Sequence, residues 1–112
     1  MPKYQTDLNS IFTALADPTR RGVLANLCLG PKSVSELAQP FDMALPSFTQ
    51  HLRVLERSGL VQSEKKGRTR TYQVVPQQLA VAQGWLEEQR GIWNQRLDRL
   101  DNYLLQLKET RK

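Results

Sequence analysis

A chain of 112 residues is long enough for one modest hydrophobic core but not for two. Hydrophobic residues at 39% and charged residues at 24% give an ordinary globular balance. The net charge of +5 and a pI near 9.7 favour polyanionic partners, and the single cysteine, Cys28, excludes an intramolecular disulfide.

The first predicted element is a helix from about Asp7 to Ala16, with Leu8, Ile11, Phe12 and Leu15 on one apolar stripe and Thr6 or Asp7 as its cap. The opening MPKYQTDLNS lacks the apolar core of a signal peptide, and no stretch approaches the roughly 18 apolar residues of a membrane span. A cytoplasmic chain with no membrane partner is expected. Asp17-Pro18 restarts the backbone, because Asp is a good N-cap and Pro fits the first helical position. The second helix follows to about Leu29, burying Val23, Leu24, Leu27 and Cys28 before Gly30-Pro31 ends it. Ser33-Val34-Ser35-Glu36 reads as a capping box. It opens a short third helix, Val34 to Gln39, which buries Val34, Leu37 and Ala38. Pro40 stops this helix, and Phe41 and Met43 anchor the turn that follows.

The fourth helix spans about Leu45 to Ser58 and ends at Gly59. Leu45, Phe48, Leu52 and Leu55 recur at spacings 3, 4, 3 and form its buried stripe. The opposite face carries Ser47, Gln50, Arg53, Val54 and Arg57, with Thr49 and His51 on the flanks. Hydrogen-bonding groups and two arginines share that face with no acidic residue among them.

Leu60 to Glu64 and Thr69 to Val75 read as two strands, the second rich in β-branched residues. Between them Lys65-Lys66-Gly67-Arg68 forms a basic hairpin tip, and Arg70 adds a fourth cation. After Pro76 the chain reads as one long helix, or two with a kink near Gly91. Trp93, Leu97, Leu100, Leu104 and Leu107 alternate at 4, 3, 4, 3, a heptad seam longer than one small core requires.

The expected fold is mainly α with a small β-hairpin: a winged helix-turn-helix in the order α-α-α-α-β-β-α with a long C-terminal dimerisation helix. The chain is read as one domain, 1–112. Within it, 33–58 is the helix-turn-helix, 60–75 the wing and 78–109 the terminal helix. A major groove admits one α-helix, and base edges are read by donors and acceptors on its outer face. Ser47, Thr49, Gln50, His51, Arg53 and Arg57 are therefore the candidate base-reading residues. Lys65, Lys66, Arg68 and Arg70 are candidate phosphate contacts, since cations bind the backbone without needing sequence.

The run from Ala14 through Arg21 to Leu24 and Leu27 resembles the opening signature of the ArsR family of winged-helix regulators. Ser47 to Val61 is similar to that family's recognition helix and exit, and Lys66-Gly67-Arg68 through Tyr72 to its wing. The tail from Trp85 to Tyr103 is similar to a subgroup of the same family. The resemblance implies a homodimer that binds a pseudo-palindromic operator in double-stranded DNA and blocks transcription, with Leu8, Phe12, Trp93, Leu97, Leu100, Leu104 and Leu107 at the dimer interface. Many members release DNA on binding a metal. Here the third helix has no cysteine and the only histidine is His51, so neither a metal nor another cofactor is expected. An unidentified small-molecule effector remains open.

Each feature also has a plainer reading. The polar face could be merely solvated, the hairpin lysines could guard a sheet edge, and Cys28 could be a small buried hydrophobe rather than a redox sensor. Trp85 and Trp93 read as core and interface anchors more readily than as an effector pocket. The alternative function is an RNA-binding or protein-interaction winged helix. No phosphate loop, catalytic carboxylate pair or metal cluster suggests an enzyme.

Overall fold

The computed structural model describes residues 3–110, with side chains from Asp7 onward. The order is α1 (Lys3–Leu15), α2 (Pro18–Leu27), β1 (Lys32–Ser33), α3 (Val34–Ala38), α4 (Leu45–Arg57), β2 (Val61–Lys66), β3 (Thr69–Val74) and α5 (Pro76–Thr110). Two compact units are present, one ending at Ala82 and one beginning at Gln83. The first holds everything from α1 to the opening turns of α5; the second is the rest of α5.

The helix starts follow local chemistry. Asp17 caps α2 by accepting from the Arg20 backbone N–H at 3.1 Å, with Pro18 directly behind it. Ser33 and Glu36 form the reciprocal capping box that opens α3, at 3.3 and 3.1 Å. The first helix begins at Lys3, so Thr6 and Asp7 lie inside it rather than capping it. At the other end of α4, Gly59 adopts φ +80°, a conformation that costs other residues steric energy.

One cluster forms the core of the first unit: Ile11 and Ala14 of α1, Val23, Leu24 and Leu27 of α2, Leu37 of α3, and Phe48, Leu52 and Leu55 of α4, closed by Leu60, Val61, Tyr72 and Ala82. Phe41 packs its ring 5.5 Å from Phe48, centre to centre, and fixes the turn between α3 and α4. Two expected core residues are not there. Leu45 is 58% exposed, because the first turn of α4 runs past the edge of the core before its stripe meets any partner. Cys28 is exposed too: α2 ends at Leu27, and Cys28 forms its C-cap on the outer side. Val54, placed on the open face by the helical wheel, is partly buried against the core.

The sheet has three strands in the order β1-β3-β2, all antiparallel, rather than a lone hairpin. The extra strand, Lys32–Ser33, pairs with Tyr72 and Thr71 and so ties the start of α3 to the wing. The hairpin turn is tighter than the basic tip suggested. Lys66 pairs with Thr69, leaving only Gly67, at φ +62°, and Arg68 in the turn.

In the second unit α5 continues without interruption through Gly91 to Thr110. Leu86, Trp93, Leu97, Leu100, Leu104 and Leu107 are all exposed along it. No helix among the described residues is long and apolar enough to cross a membrane.

Candidate nucleic-acid interface

The α3-turn-α4 unit presents α4 as an outer helix anchored by Phe48, Leu52 and Leu55, each fully buried. Anchoring one stripe leaves the opposite one in solvent, where Ser47, Gln50, Arg53 and Arg57 are exposed. The flanking residues are already engaged. The Thr49 hydroxyl donates to the Leu45 carbonyl at 2.8 Å, a bond along its own helix that spends its only donor. His51 turns away from the open face toward the α1–α2 corner. Its Nδ1 lies 3.1 Å from Arg20 Nη1 and 3.8 Å from Asp17 Oδ2, and its side chain is 22% exposed.

The wing sorts its cations by strand alternation. Lys65 stands opposite Arg70 and Ser63 opposite Tyr72, so these four share the face that turns toward α4. Lys66 belongs to the other face. A groove of about 510 Å³ therefore lies between α4 and the wing, bordered by Val34, Thr49, Arg53, Glu56, Lys65, Arg68, Arg70 and Tyr72. Four of its eight wall residues are cationic and one is anionic, so the groove attracts a polyanion.

Glu56 is the residue that sequence reasoning passed over. Its carboxylate accepts from the Ser63 hydroxyl at 3.2 Å, and that hydroxyl accepts from Arg70 Nη1 at 2.8 Å. The relay links the wing to the helix and brings a negative charge near Arg70. Burial, followed by the Glu56 charge, pushes the Tyr72 hydroxyl above its ordinary value, so it stays a neutral wall of the groove. The only sequence signal for Glu56 was its place three residues after Arg53 on the helix.

The C-terminus of α4 is held from a third element. Gln78 of α5 donates its side-chain amide to the Ser58 carbonyl at 2.7 Å, and the buried Ser58 hydroxyl donates to Leu55 and accepts from the Leu60 N–H. Of the remaining residues singled out from sequence, Leu8 is buried and Phe12 is 38% exposed. Among the described residues, no group of three or more His, Cys, Asp or Glu could hold a metal ion.

A helix-turn-helix domain profile matches residues 15–64. The HTH-type transcriptional regulator Rv2034 of Mycobacterium tuberculosis is 42% identical over 69 residues, covering 62% of this chain and 64% of that protein. The transcriptional repressor SdpR of Bacillus subtilis is 33% identical over 61 residues, 54% of this chain and 68% of its own. The matched stretch thus spans about two thirds of each of these relatives. Among solved structures, an ArsR family transcriptional regulator superposes with a TM-score of 0.78 at 51% identity, covering 84% of this chain and 97% of that one. An ArsR-like transcriptional regulator from Rhodococcus sp. RHA1 gives 0.74 at 32% identity, over 86% and 91%. With the helix-turn-helix, the wing and the cationic groove in place, the chain belongs to the ArsR family of winged helix-turn-helix transcriptional regulators, which are not enzymes.

Proposed function

We propose that the chain is a homodimeric repressor that seats α4 in the major groove of an operator and rests the wing on the flanking phosphates. The groove that joins Arg53 of α4 to Lys65, Arg68 and Arg70 of the wing carries this reading. A base-reading helix and a phosphate-binding hairpin that share one concave wall can engage one duplex together. Ser47, Gln50, Arg53 and Arg57 are the base readers. Thr49 and His51, bound internally, act beside the DNA rather than on base edges.

The exposed seam of α5 supports dimerisation. Trp93, Leu97, Leu100, Leu104 and Leu107 repeat at heptad spacing and stay open in a single chain. Phe12 is 38% exposed, whereas the burial of Leu8 leaves it little to give. Two copies related by a two-fold axis would set their reading helices about 34 Å apart, one helical turn of DNA. A shallow recess of about 410 Å³ on α5, bordered by Trp93, Arg96, Leu97, Arg99, Leu100 and Tyr103, belongs to this pairing face more naturally than to a small-molecule effector. The regulator is placed in the cytoplasm, where an operator can be reached.

Selection of bound duplexes from a random library tests the reading. An inverted repeat is the expected outcome. A set of bound sequences without two-fold symmetry, or preferential capture of RNA, overturns it. Within a selected site, Arg53→Ala should change the preference at one base pair by about 1 to 3 kcal/mol.

A further inference from the structure

Arg20 sits at the corner between α1 and α2 and touches three elements. Its Nε donates to the Ala14 carbonyl at 2.7 Å and its Nη2 to the Thr13 carbonyl at 2.9 Å. Both acceptors belong to the last turn of α1, where carbonyls lack i+4 partners and a cation is favoured, although Thr13 also accepts from the Ala16 N–H at 3.2 Å. Its backbone N–H closes the Asp17 cap of α2. Its remaining nitrogen, Nη1, reaches 31 residues along the chain to His51 Nδ1 of α4, at 3.1 Å.

A guanidinium has donors and no acceptor. The bond to His51 therefore requires a lone pair on Nδ1. With Nδ1 as acceptor, the neutral ring carries its proton on Nε2. A protonated Nδ1 could serve only Asp17, 3.8 Å away, and would have to give up Arg20. We propose that Arg20 is a positioning residue for DNA recognition: it pins α4 to the α1–α2 corner through His51, which it holds as the neutral Nε2–H tautomer. His51 is thereby a fixing point of the reading helix and not a base reader. Buried stripes alone allow a helix to roll or slide by fractions of an ångström, whereas a directional bond from outside the helix-turn-helix sets its rotation.

His51 is the only histidine in the chain, so its ring reports the joint without interference. In the free protein at neutral pH, nitrogen-15 NMR should show Nδ1 as an unprotonated nitrogen and Nε2 as an N–H. Replacing Arg20 with Gln should blur that pattern into a tautomer mixture and weaken binding to a selected duplex by roughly tenfold. Arg20→Lys should not restore either, because one ammonium cannot span three acceptors. Should Arg20→Gln fail to fold, His51 itself supplies the comparison. His51→Asn keeps an acceptor near the Nδ1 position and should bind the duplex within about threefold of the wild type, whereas His51→Leu should lose roughly tenfold. Equal losses in both, no loss in either, or a wild-type ring protonated on Nδ1 would overturn the proposal. The DNA comparisons rest on the function proposed above. A wild type that binds no duplex counts against that function, while the tautomer pattern, read without DNA, still decides the joint.

Discussion

Asp17 shows how much one side chain can hold. Burial pushes its carboxyl up, but the Arg20 backbone N–H, with the Arg20 guanidinium and the Thr19 N–H, pulls harder, leaving it below its ordinary value of 3.8. A carboxylate with a depressed folded-state value stabilises the fold above the unfolded value, and that contribution is lost as pH falls through the folded one. Asp17→Ala should cost about 1 kcal/mol at neutral pH, as for other lost N-caps. Asp17→Asn, which keeps a cap acceptor without the charge, should cost less. Denaturation followed against pH should show the Asn variant and the wild type converging below about pH 3.8; a constant gap would mean the charge plays no part. Gly59 makes a second test at this scale. A Cβ there would sit 2.9 Å from the Gln78 amide nitrogen, whose bond to Ser58 would have to yield, and the backbone is already at φ +80°. Gly59→Ala should cost about 2 kcal/mol in a urea titration, while Gly84→Ala, in open space within a helix, should stabilise by about 0.5 kcal/mol. Residue roles of this local kind were legible in the sequence: Asp17 and Ser33 act on backbone only three positions away. The Arg20–His51 bond was not, because nothing in a sequence pairs positions 31 apart when neither lies on a periodic stripe.

Between elements, register rather than composition decides which wing cations matter. Four positive residues in six look equivalent as a string, but pairing of β2 with β3 puts Lys65 and Arg70 beside α4 and turns Lys66 to the other face. Lys65→Ala should therefore reduce the slope of log affinity against log salt by about one, and Lys66→Ala by much less. Fluorescence anisotropy with one duplex at several salt concentrations measures both; equal slopes would show that the wing meets DNA edge-on. The helices and the hairpin were readable from apolar period, caps and Gly67. The short β1 was not, since a two-residue strand has no period and exists only because β3 offers it an edge. Leu45 shows the same limit from the other side. Its spacing from Phe48 is right, and its exposure is a matter of where the core stops.

At the scale of the whole molecule, the unresolved demand lies on α5, where an apolar seam faces water. Leu100→Asp should convert a dimer into a monomer by light scattering and abolish tight operator binding, while the far-ultraviolet signature of the first unit persists. A dimer that survives this change would locate the pairing surface elsewhere. The helix-turn-helix and its wing form one core cluster to which the opening turns of α5 contribute Ala82, with Leu79 and Val81 packed against it, so loss of pairing need not unfold the reader.

Large apolar residues from Leu86 to Leu107 are exposed in a single chain, so under the proposed pairing the amount of protein would matter as well as its shape. A DNA-binding species made from two copies accumulates as the square of the chain's abundance while the chain is scarce, and only linearly once pairing saturates. Growth without synthesis would then empty an operator faster than it dilutes the protein. If the chain pairs as proposed, such a regulator would count its own copies, and its operator would respond to the rate at which the cell makes or divides them.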